Sequence, residues 1–76
     1  MKNDKLLKVE GLVVETLPGL LFRVNVKSDE DGSEKVILAH LGGKLKLNKI
    51  KVLPGDKVIL EMANKNDNRG RIIRRL

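Results

Sequence analysis

Leu20, Phe22, Val24 and Val26 alternate with Leu21, Arg23, Asn25 and Lys27, with turn residues before and after the run. A period of two means a strand with one face in a core and the other in solvent. The chain repeats the pattern: Val58, Leu60 and Met62 alternate with Ile59 and Glu61, and Val9, Val13 and Leu17 share one side of residues 7–17. Leu17-Pro18-Gly19-Leu20 and Leu53-Pro54-Gly55-Asp56 are turn sequences, in which Pro presets φ and Gly takes the positive φ of a type II turn. Short strands punctuated in this way predict a small all-β barrel.

The predicted strands are 7–17, 20–27, 34–39, 58–62 and 70–76. Gly11 interrupts the first, where a glycine marks a bulge or a barrel bend. Residues 28–33 form a polar hairpin loop with Asp31-Gly32 suited to its tip. Residues 40–50 break the strand period. Leu41, Leu45 and Leu47 are expected to face inward from a short helical or irregular connection, with any helix starting after Gly42-Gly43, and 51–53 reads as extended. Five strands with such a segment between the third and fourth are the order of an OB-fold barrel. Seventy-six residues make one domain, 1–76.

Several chemistries are disfavoured. No cysteine is present, so there is no disulfide and no thiolate metal site, and His40, the lone histidine, makes neither a metal cluster nor a catalytic set. The acidic loop lacks the spacing and final Glu of a calcium loop, and Gly42-Gly43-Lys44 lacks the upstream Gly and following Ser/Thr of a P-loop. No cofactor is expected. The N-terminus has no apolar run of signal-peptide length, and no segment approaches the roughly 20 apolar residues a membrane helix needs.

Charge points to a partner. The net charge is +6, and four of the five arginines lie in the last eight residues, at Arg69, Arg71, Arg74 and Arg75. Lys44, Lys46, Lys49, Lys51 and Lys57 face only Asp56 across residues 40–57, whereas Asp29, Glu30, Asp31 and Glu34 crowd the hairpin. Segregated charge of this kind gives an oriented electrostatic footprint, and arginine forks grip phosphate. Phe22, the one aromatic, shares the apolar parity of its strand and is assigned to the core, so base stacking on aromatic side chains is not the binding mode. What remains is lysine and arginine aimed at phosphates and at RNA shape. Arg71 and Arg74 flank Ile72-Ile73 in the closing strand, and Arg23 on the polar parity of the second strand is a candidate for the same surface.

These residues also carry a resemblance. Glu10-Gly11, then Val14-Glu15-Thr16-Leu17-Pro18 and Phe22-Arg23-Val24, resemble the opening of the bacterial and plastid-type translation initiation factor one family. Ala39-His40-Leu41-Gly42-Gly43-Lys44 is similar to that family's Ala-His-Ile-Ser-Gly-Lys segment, and Lys46, Asn48, Ile50, Leu53, Gly55-Asp56-Lys57-Val58 and Arg69-Gly70-Arg71-Ile72-Ile73 with Arg75 continue in register. The resemblance implies a five-stranded OB barrel that docks at the aminoacyl-tRNA site of the small ribosomal subunit. It implies contacts to 16S-type rRNA and a small-subunit protein, and cooperation with the two other initiation factors. A monomeric, non-enzymatic protein of the bacterial cytoplasm or plastid stroma is implied, with no membrane partner. The matching contact positions are His40, Gly43, Lys44, Lys46, Asn48, Arg69, Arg71 and Arg75.

The chain departs from the family at Leu47, where many members are basic, and at Lys49 and Arg74, where many are aromatic. Exchanging aromatic for cation implies a more salt-sensitive complex. The hairpin at 28–34 is longer and more acidic than usual and is expected to point away from rRNA. Other barrels are weighed against this reading. An SH3-like ribosomal protein would resist high-salt washing, an oxyanion-storing barrel would need an oligomer, and a cold-shock-type chaperone would need surface aromatics.

Overall fold

A computed structural model describes residues 6–27, 32–64 and 67–76. Five strands and one short helix follow in the order β1 (Leu7–Leu17), β2 (Leu21–Lys27), β3 (Glu34–Leu41), α1 (Gly43–Leu47), β4 (Lys57–Met62) and β5 (Arg69–Arg75). The sheet closes as β1-β2-β3-β5-β4, with β4 returning to β1. Among the described residues only β3 and β5 run parallel. This is the five-stranded OB barrel, with its helix between β3 and β4.

The inward parities of the strands meet in one core. Val13, Val24, Ile37, Val58, Leu60 and Ile72 are at most 1% exposed. Phe22 is buried with them, as its parity requires. Leu41, which ends β3 instead of lying in the connection, and Leu45 of α1 join this core with Val52 and the partly buried Ile50. Gly11 and Gly70 sit where strands crowd. A Cβ on Gly11 would lie 2.5 Å from Val24 Cγ1, and one on Gly70 3.1 Å from Ile37 Cδ1.

Five local expectations are corrected. The β1 irregularity falls between Val13 and Glu15 rather than at Gly11, which instead admits a close approach of β2. The extra residue flips the parity beyond it, so Glu15 pairs with Arg23 and Leu17 with Leu21, and Leu17 leaves the side it would share with Val13. Leu20 is not the first inward residue of β2: it belongs to the turn, at φ 60 and 54% exposed. Leu47 points out at 81% exposed, because Leu45 occupies the one inward position of so short a helix. The helix begins at Gly43 itself, with Gly42 as its N-cap.

The Leu53–Asp56 turn forms as expected: Asp56 N–H donates to the Leu53 carbonyl at 3.0 Å, and Gly55 takes φ +96. Residues 51–53 run without strand pairing. Most of the acidic hairpin, 28–31 including the Asp31 tip, lies outside the described residues, and so does its expected direction.

Candidate nucleic-acid interface

The arginine-rich tail becomes β5, the strand that joins the two halves of the barrel, with β3 on one side and β4 on the other. Its parity sorts the tail. Gly70 and Ile72 face the core, and Arg69 and Arg71 face out. The register against β4 then slips between Ile59 and Leu60, which leaves Ile73 without a direct partner and sets Arg74 opposite Ile59. Ile59 alternates with buried Val58 and Leu60, so Arg74 returns to the outer face despite standing three residues from Arg71. A bulge does what simple alternation forbids.

Cross-strand register places further candidates beside this tail. Leu21 on β2, His40 on β3, Arg71 on β5, Glu61 on β4 and Lys8 on β1 form one row across the barrel surface. Arg23, Leu38 and Arg69 form the next row, which separates the two arginines by two strand spacings, about 10 Å. An open cleft of about 410 Å³ is lined by residues of both rows, among them Leu21, Leu38, His40, Glu61, Arg69 and Arg71.

The lysine segment is held against the same strand. Gly42 N–H donates to the Ile72 carbonyl at 2.7 Å, fixing the start of α1 on β5. At the other end Arg75 Nη1 donates to the Lys51 carbonyl at 2.9 Å. Arg75 is therefore at least partly a fold residue, tying down the connector that follows α1. Within these anchors Gly43, Lys44, Lys46, Asn48, Lys49 and Lys51 are exposed. The helix ends in a Schellman arrangement, in which Ile50 N–H bonds the Leu45 carbonyl at 3.0 Å and Lys49 N–H the Lys46 carbonyl at 3.2 Å. That motif puts Lys49 at φ 55, where glycine is the usual occupant.

Two carboxylates that the charge pattern does not single out meet candidate arginines. Glu15 Oε1 stands 3.2 Å from Arg23 Nε, both exposed. Glu61 Oε1 accepts from Arg71 Nη2 at 2.6 Å. The alternation of β4 is enough to set Glu61 on the outer face. Its pairing with Arg71 depends on the β4–β5 register, which carries no mark in the sequence. Arg23 is thus partly neutralised, and it borders the Arg69–Arg71 cluster without joining it. Among the described residues no group of His, Cys, Asp and Glu is arranged to hold a metal, and no helix is long and apolar enough to cross a membrane.

The comparisons with known proteins agree on the barrel. The chain is 44% identical to translation initiation factor one from the Wolbachia endosymbiont strain TRS of Brugia malayi, with a TM-score of 0.67 over 93% of this chain and 78% of that one. It also matches part of YjeQ from Thermotoga maritima, at 30% identity and TM-score 0.63. A third match is to YloQ, a circularly permuted GTPase, at 28% identity and TM-score 0.66. Each of these two matches covers 92% of this chain but only 23% of the larger protein, so the likeness is to one portion of each. The family model that describes translation initiation factor 1A and its bacterial counterpart, initiation factor one, matches residues 1–76, and the chain belongs to that family.

Proposed function

We propose that this initiation factor family member is a single RNA-binding domain that occupies the aminoacyl-tRNA site of the small ribosomal subunit. It acts there by filling space and neutralising rRNA phosphate, with the two other initiation factors and a small-subunit protein as partners. It works as a cytoplasmic monomer, without catalysis or cofactor. The observation that supports this most is the seating of the α1 segment on β5. The 42–51 segment, with Gly43, Lys44, Lys46, Asn48, Lys49 and Lys51, is tied to Ile72 and Arg75 of β5, the strand that also carries Arg69 and, opposite His40, Arg71. Arg74 extends the basic surface toward β4, Arg23 borders it on β2, and Arg75 serves both connector and surface.

Phosphate contact is the mode this composition favours. The single aromatic is buried, so cations carry the interaction. If about four to six phosphates are neutralised, the log–log salt slope is roughly −3 to −4 with the single-strand coefficient. The test is co-sedimentation with isolated small and large ribosomal subunits at low and high salt. Saturable, salt-released binding to the small subunit alone, strengthened by the other initiation factors, is the expected result. Binding to the large subunit, or none above that to free RNA, overturns the reading.

A further inference from the structure

Glu61 is an acid set within a basic face, and simple charge counting makes it a handicap to RNA binding. Its geometry argues otherwise. The Glu61 side chain is 16% exposed and that of Arg71 48%, so the acid is the more covered partner of the pair. The contact is short, 2.6 Å from Arg71 Nη2 to Glu61 Oε1. The Arg71 stem passes beside Gly42, where a built Cβ would fall 3.6 Å from its Cγ and 3.7 Å from its Cδ, so glycine leaves the stem room to lie across the start of α1. Arginine has five N–H donors in a rigid fork, so one taken by Glu61 leaves an edge for a phosphate.

We infer that Glu61 is a positioning residue for RNA binding: it holds the Arg71 guanidinium in the pose that meets phosphate. The inference rests on Arg71 being an rRNA contact, as proposed above. An arginine already ordered in the free protein loses less rotamer freedom on binding, which is the general gain of preorganisation. The net charge removed with Glu61 acts in the opposite sense, so the two accounts differ in sign.

The test is a double-mutant cycle of Glu61→Gln and Arg71→Ala, reading affinity for isolated small ribosomal subunits over a range of salt, with circular dichroism to confirm the fold. Glu61→Gln should weaken binding roughly 3–10-fold. Its salt slope should stay near the wild-type value, because Arg71 still meets phosphate in the complex, whereas Arg71→Ala flattens the slope by about 0.7. In the Arg71→Ala background the same change should do nothing or tighten binding. Arg71→Lys, which keeps charge without the fork, is a second background and should likewise abolish the loss. Tighter binding by Glu61→Gln in the otherwise wild-type chain overturns the inference alone, as does an equal loss in every background. Failure of the wild-type chain to bind small subunits overturns the functional reading and this inference together.

Discussion

Gly42 and Gly43 are neighbours with opposite structural duties, and alanine at each should move stability in opposite directions. Gly42 has φ −67 and ψ 162, a conformation open to any residue, so its requirement is space. A Cβ there would stand 2.9 Å from the Ile72 carbonyl oxygen, the same oxygen that accepts the Gly42 N–H at 2.7 Å. That oxygen belongs to backbone in the middle of β5 and cannot swing aside, so α1 must lift off the strand. Overpacking of this kind costs about 1–3 kcal/mol, and losing a backbone hydrogen bond adds to it. Taking about 2 kcal/mol, and about 4–8 °C per kcal/mol for a domain of this size, Gly42→Ala should melt roughly 8–16 °C lower. Gly43 has nothing within 4 Å of its virtual Cβ and begins the helix. Alanine there removes the entropic cost of a helical glycine, about 0.5–1 kcal/mol, and should raise the melting point by roughly 2–8 °C. The chain has neither Trp nor Tyr, so far-UV circular dichroism is the readout. Equal melting points for the two variants, or a Gly42→Ala protein as stable as wild type, would refute the argument that β5 backbone excludes a side chain at 42.

Other outcomes follow from the same geometry. Lys49→Gly relieves the left-handed backbone at φ 55 and should stabilise the fold by about 0.5–1 kcal/mol while weakening small-subunit binding; a melt and a binding titration on one sample separate the two. Arg71→Ala should weaken small-subunit binding by about 1–3 kcal/mol and flatten the salt slope by about 0.7; unchanged affinity with an intact fold removes Arg71 from the interface. Leu60→Ala opens a cavity at a fully buried site and should cost about 2–5 kcal/mol, most of what so small a core supplies, so a sample largely unfolded at 37 °C by circular dichroism is expected. Arg75→Ala breaks the tie to the Lys51 carbonyl and should destabilise by about 1 kcal/mol, whereas Arg74→Ala, with its side chain on the outer face, should leave the melting point unchanged.

The fold was legible because its strands are half-buried. Val58, Leu60 and Met62 had to share a face, as did Phe22 and Val24, and the two Pro-Gly turns set where those faces begin again. Legibility failed where one residue is inserted. The bulge after Val13 and the slip at Ile73 each reverse parity, and nothing in Val14 or Ile73 as side chains marks them. A strand pattern is a sum over alternate positions, so a single insertion corrupts everything beyond it; that is why simple alternation puts Leu17 on the wrong side. The helix was a different kind of failure. With five residues it has room for a single core contact, and Leu45 takes it, so the choice between Leu45 and Leu47 rests on where the first turn starts.

The candidate site was legible as composition and illegible as neighbourhood. The basic stretches carry few carboxylates of their own, which is why both stand out in the chain. What the sequence does not carry is the parallel β3–β5 pairing that sets His40 against Arg71, because a parallel register leaves no turn to read. The same blindness hides Glu61. Ten residues separate it from Arg71, yet the antiparallel β4–β5 ladder makes them direct partners. Counting charge along the chain sets Arg71 in a basic cluster and leaves Glu61 out of it. In the barrel they are one unit, and whether that unit helps or hinders a phosphate depends on orientation and not on net charge. A surface of this kind should therefore respond to neutral substitutions at Glu61 in a way that no recount of lysines and arginines anticipates.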